Sequence, residues 1–172
     1  MDTTELEIMP GVCGQLTDQR LPRWEELPDL ALYMDQVLAL MERYLGDVPG
    51  QDGRSLTAAM VNNYVKQGAI PAPERKKYSR RHLVHLIVIC VLKPVLPIPA
   101  ICRFIQAHLA VMDEARFLDL FGDALCRANA DAVRAVSREP EPGRDSLSPA
   151  CAAALRARAE QALALALVPD NT

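Results

Sequence analysis

The 172-residue chain predicts a mainly α-helical fold with one short β-hairpin and a C-terminal helical segment. Three observations carry that expectation. Alanine occurs 24 times, 18 of them from position 100 onward. Only 8 residues are aromatic, and β-branched runs of the strand type are few. Apolar residues recur at helical spacing in most segments. At this length ~70% of the unfolded surface can be buried, so no metal or disulfide is required to hold a core.

The elements follow in chain order. Residues 1–27 show no clear period and read as an N-terminal arm, anchored through Leu21 and Trp24. A first helix is expected from about Pro28 to Leu45, with Pro28 and Asp29 as start signals. Leu30, Met34, Val37, Leu38, Met41 and Leu45 form its stripe. Residues 46–54, GDVPGQDGR, read as a loop. A short helix then spans about Thr57 to Gln67, started by Ser55 or Thr57 and stopped by Gly68. Met60, Val61, Tyr64 and Val65 face inward; Asn62, Asn63, Lys66 and Gln67 face outward. Pro71 and Pro73 forbid helix after it. There, Ala69–Ile70 and Lys77–Tyr78 are expected to pair as two very short strands, with Pro73-Glu74-Arg75 at the tip.

Ser79 opens a third helix, Arg80 to Leu92, apolar almost all round and therefore central. Pro94, Pro97 and Pro99 break it, and a fourth helix begins near Pro99 with Ile101, Phe104, Ile105 and Leu109 inward. A fifth runs from Asp113 to about Ser137, with Phe117, Phe121, Leu125, Ala132 and Val136 near one face. Residues 139–149 are a linker, and Pro149 to Val168 is an alanine-rich helix carrying Leu155, Ala159, Leu163 and Leu167. Alanine faces permit close helix approach, inside a bundle or across a dimer.

Charge is unevenly spread. Residues 1–53 carry eleven acids and three bases, net −8; residues 54–112 carry one acid and nine bases, net +8; residues 113–172 are net −3. A basic middle between acidic flanks points to an anionic partner. The alternative is that the acidic N-terminal part packs on the basic part and neutralises it. Seven cations and one acid lie between Arg54 and Arg81.

Short helix, glycine stop, proline-bearing basic hairpin and Ser-capped apolar helix, in that order, describe a winged helix-turn-helix. A helix fits the B-DNA major groove, and Asn or Gln amides can make two hydrogen bonds to adenine. Asn62, Asn63, Lys66 and Gln67 would present base-reading groups; Arg75, Lys76, Lys77, Arg80 and Arg81 would meet phosphates. Asn62 and Asn63 also read as an ordinary surface pair, and Tyr64 as core or as a phosphate contact.

Two stretches carry a family resemblance. MVNNYVKQGAIPAP resembles the recognition helix and wing entry of MerR-type regulators, whose pattern is roughly T-L-R-Y-Y-E-x-x-G-L-L. Val61, Tyr64, Gly68 and the pair Ala69–Ile70 stand at matching positions, while Met60 replaces the Thr, Asn62 the Arg and Asn63 the first Tyr. KKYSRRHLVHL is similar to the close of the wing, through Tyr78, Ser79 and Leu83, and LPIPAICRFI to the following helix start. With LPDLALYMDQVLALMERYL upstream, residues 28–108 are also similar to a bacterial domain family of unassigned function whose small members are suspected transcriptional regulators. The resemblance implies a MerR-like winged helix-turn-helix over 28–112, double-stranded DNA as partner, and a homodimer formed through the C-terminal helical region, 113–172.

Other classes have less support. No GxSxG, HExxH or phosphate loop occurs, so no enzymatic role and no cofactor are expected. His82 and His85 have metal-pair spacing but no third ligand. Five cysteines without CxxC spacing argue against a disulfide framework. The N-terminus lacks a secretory signal and no apolar run is of membrane-spanning length, which predicts a cytoplasmic chain. An adaptor whose basic face docks an acidic protein, without DNA binding, is the alternative function. Links from Lys76, Lys77 or Arg80 to Glu25, Glu26 or Asp29 would favour it. A sensor pocket among the C-terminal helices is a third reading.

Overall fold

The computed structural model describes residues 3–46, 55–137 and 148–169, with backbone only for residues 3–10, 137 and 149. Seven α-helices and one 3-10 turn form among these residues: α1 (Thr3–Asp18), the turn Trp24–Glu26, α2 (Met34–Leu45), α3 (Ala58–Lys66), α4 (Arg80–Leu92), α5 (Ile98–Leu109), α6 (Glu114–Ser137) and α7 (Pro149–Leu167). The fold is mainly helical. Of the expected loop 46–54 and linker 139–149, residues 47–54 and 139–147 lie outside the described residues.

The middle of the chain follows its sequence closely. Thr57 caps α3, its Oγ1 accepting the Met60 N–H at 3.2 Å. Gly68 ends it at φ +68°, a conformation that costs most other residues about 1–2 kcal/mol. There the Ala69 N–H reaches back to the Tyr64 carbonyl at 2.9 Å. Every residue of α4 from His82 to Cys90 is buried, and α2, α5 and α6 pack around it. That answers the run LVHLIVIC, which leaves no polar face for solvent.

Four local expectations change. First, α1 is helical where an arm is expected, although Pro10, Gly11 and Gly14 lie within it. It packs on α6, and the Asn129 amide donates to the Leu16 carbonyl at 3.1 Å and to Gln19 Oε1 at 2.9 Å. Second, α2 begins at Met34 rather than Pro28. Leu32 instead forms a bridge with Tyr78, each N–H donating to the other's carbonyl at 2.8 Å, and Tyr33 after it is extended, so helix cannot begin before Met34. Leu30, expected on the apolar stripe, is exposed.

Third, no strand forms among the described residues, and Ala69–Ile70 do not pair with Lys77–Tyr78. The N–H groups of Ala69 and Ile70 are already spent on the Tyr64 carbonyl, and prolines 71 and 73 have none to offer. Lys77 pairs with Glu74 instead, in a tight turn with Arg75 and Lys76 at its centre. Fourth, Leu155, Ala159, Leu163 and Leu167 of α7, together with Leu165, face outward rather than into a bundle. What holds α7 is largely polar: Gln161 donates to the Val95 carbonyl at 2.8 Å and Arg103 to that of Pro169 at 3.0 Å. Ala132 on α6 is exposed as well.

Buried histidines fasten the segment after α3 to α4. The Ser79 N–H donates to His82 Nδ1 at 3.0 Å, the part a Glu or Gln plays in a capping box. The opposite nitrogen faces the Ala72 carbonyl at 3.4 Å. His85 Nδ1 donates to the Ala69 carbonyl at 3.1 Å, and its buried Nε2 has no hydrogen-bond partner among the described residues. Burial lowers the pKa of both rings; for His82 Arg81 adds to this and Glu74 opposes it, and for His85 Arg81 and His82 add while Glu114 opposes. A folded-state pKa below ~6.5 means the unfolded chain binds more protons in acid. Stability should therefore be full above pH 6.5 and fall below it, by up to about 1.4 kcal/mol per pH unit for each ring. Melting temperatures from pH 8 to 5 check this, and His82→Gln, which keeps an acceptor for Ser79, should flatten its share.

Candidate nucleic-acid interface

Helix α3 divides cleanly. Val61 and Tyr64 are buried, with Met60 and Val65 half-buried beside them. Ala59, Asn62, Asn63 and Lys66 are exposed at i, i+3, i+4 and i+7, one continuous stripe, and Gln67 extends it. Tyr64 thus belongs to the core, and burial raises its phenol pKa. The small Ala59 leaves the two amides proud of the helix surface.

After α3 in the chain comes the turn Glu74–Lys77, closed by the Lys77 N–H donating to the Glu74 carbonyl at 2.8 Å. Arg75 and Lys76 at its centre have φ of +49° and +63°. Two successive left-handed residues are the geometry of a type I′ turn, where Asn-Gly is the favoured pair. Arg and Lys there accept strain of about 1–2 kcal/mol each. Both side chains are exposed, as is Lys77. The base of the turn is pinned by the Leu32–Tyr78 bridge and by the Lys77 ammonium, 5.0 Å from the centre of the Tyr33 ring.

The two arginines that open α4 are differently placed. Arg80 is half-buried: its Nε donates to the Leu27 carbonyl at 3.0 Å and the Pro28 carbonyl at 3.3 Å, and its guanidinium lies 5.2 Å from the Trp24 ring centre. It also reaches Asp29 at 3.8 Å. Arg81 is exposed and pairs with Glu114 at 3.1 Å. Arg80 is therefore a structural tie between the acidic N-terminal part and α4. Within residues 66–81, Lys66, Arg75, Lys76 and Lys77 have no acid partner among the described residues, and Glu74 is the one acid of that stretch.

The sequence contains the exposed stripe in plain form, but not the stacking roles of Trp24 and Tyr33. Only the conjunction of an aromatic before each helix start with a cation ahead of α4 would have hinted at them. No group of three or more potential metal-ligating side chains occurs among the described residues, and none of their helices is long and apolar enough to cross a membrane. Cys90 is buried and its thiol pKa is pushed up to about 11, while Cys151 is exposed.

Residues 22–120, more than half of the chain, match the family described as a domain of unknown function (DUF1836). No curated protein and no solved structure matches the chain.

Proposed function

The chain belongs to the DUF1836 family, and on that footing we propose that it is a DNA-binding transcriptional regulator. In this reading α3 is the recognition helix of a MerR-like winged helix-turn-helix. The turn 74–77 is a wing reduced to a single tight loop, which contacts the phosphate backbone. The observation that carries the reading is the exposure of Asn62, Asn63 and Lys66 on one face of α3, followed in the chain by a strained, doubly cationic turn. A helix ~10–12 Å across with its side chains matches a major groove ~12 Å wide. Backbone strain kept at an exposed cationic tip is more consistent with a ligand contact than with stability.

The outward leucines of α7 support a homodimer through the C-terminal helices, which would place two recognition helices on two half-sites in the cytoplasm. The adaptor reading draws on the Arg80–Asp29 link. Asp29 is 90% exposed there, however, and among the described residues neither Lys76 nor Lys77 pairs with Glu25, Glu26 or Asp29.

A gel-shift titration on the DNA upstream of the chain's own coding region tests the proposal. With about three cations on phosphates, log affinity should fall against log salt with a slope near −3. Asn63→Ala should weaken the preferred site by about 1–3 kcal/mol while changing random-sequence binding little. Absence of any salt-dependent binding would remove the DNA reading.

A further inference from the structure

Residues 1–53 contain only three bases, Arg20, Arg23 and Arg43, among eleven acids. All three line one cleft of about 420 Å³. The cleft lies between the segment after α1, the end of α2 and the middle of α6, and no residue of the α3 stripe or the cationic turn lines it. Its volume falls in the range of small-molecule sites, about 300–1,000 Å³.

The three guanidiniums are not equivalently satisfied. Arg23 is held: its Nη2 donates to Asp123 Oδ1 at 2.5 Å and its Nη1 to the Asp119 carbonyl at 3.2 Å. The Glu26 carboxylate accepts the Arg23 backbone N–H at 2.6 Å, and the Tyr44 hydroxyl donates to the Glu26 carbonyl at 3.2 Å. Those bonds fix the wall of the cleft. Arg20 and Arg43 are exposed and have no acid partner among the described residues. In a part of the chain where acids outnumber bases nearly four to one, scattered arginines would be expected to find carboxylates. These two instead line one concavity, with no hydrogen bond or ion pair from either guanidinium to a described residue. Counting Glu26 and Asp123, the lining is net positive inside an otherwise negative region.

We propose that this cleft is a binding site for a small dianion, phosphoryl or dicarboxylate, held by the forks of Arg20 and Arg43. Arginine presents paired N–H donors that match the oxygens of either group and stays charged at any physiological pH. Arg23, neutralised by Asp123, shapes the wall and adds little net charge. The site is independent of DNA binding and stands whether or not α3 enters a groove.

The test is isothermal titration calorimetry on the full chain, dialysed into chloride buffer at fixed ionic strength. Inorganic phosphate is titrated in one arm and succinate in the other. Saturable binding in at least one arm is expected, and the responding arm identifies the class. Arg20→Ala and Arg43→Ala should each weaken it about tenfold, the loss of one charge-assisted contact. Arg43→Lys, which keeps the charge and loses the fork, should fall between. Arg75→Ala with Lys76→Ala should leave it unchanged, which separates this site from the DNA face. Both arginines are exposed, so melting curves of the variants should match the parent chain. Flat titrations in both arms, or binding that survives both alanine substitutions, overturn the proposal.

Discussion

Replacing Arg75 and Lys76 together with glutamate is expected to lower affinity for double-stranded DNA by about a hundredfold at ~0.1 M salt. Each phosphate contact contributes about 0.9 to the salt slope, so losing two removes nearly two decades at that concentration. The new acids repel the backbone in addition. The loss should be the same factor on a preferred site and on random duplex, because a turn tip reads charge and not bases. Fluorescence anisotropy with a labelled duplex of about 25 base pairs, more than the ~10 base pairs of one helical turn, measures both. Both side chains are exposed and make no ion pair among the described residues, so folding stability should move by less than about 0.5 kcal/mol. A change below threefold would mean the turn faces something other than DNA.

The largest expected effect on stability comes from Phe117→Ala. The chain has only three phenylalanines, Phe104, Phe117 and Phe121, and all meet in one cluster with His108. Phe117 is 2% exposed, stacks on His108 with ring centres 5.4 Å apart, and lies 6.0 Å from Phe104 and 6.1 Å from Phe121. It is the wedge between α5 and α6. Removing a buried ring costs the transfer energy plus that of the cavity, about 3–5 kcal/mol. For a domain of ordinary stability, about 5–15 kcal/mol, that is a large share. Urea unfolding should show a lower midpoint. The slope should also drop if α6 loosens and carries α1 away with it, since α1 rests on α6.

The parts that were legible in the sequence are those whose causes are local. Thr57 and Gly68 mark the ends of α3 with a side chain and with backbone freedom, and the outward face of α3 follows from its period. The parts that were not legible depend on distant partners. α1 shows no clear apolar period in the sequence and is tied down by Asn129, more than a hundred residues away. The true start of α2 is set by Tyr78, which no periodicity around Leu32 could announce. Among the candidate site residues, Arg80 carries the clearest lesson. A basic dipeptide at a helix start looks like a phosphate clamp, yet two backbone carbonyls and an indole claim that side chain first.

The left-handed pair Arg75–Lys76 also bears on how this surface would drift under selection. Asparagine or glycine would relax the backbone there and discard a cation in the same step. Laboratory evolution for heat tolerance alone should therefore erode the tip, whereas evolution under a demand for polyanion binding should keep it basic at the expense of thermal resilience.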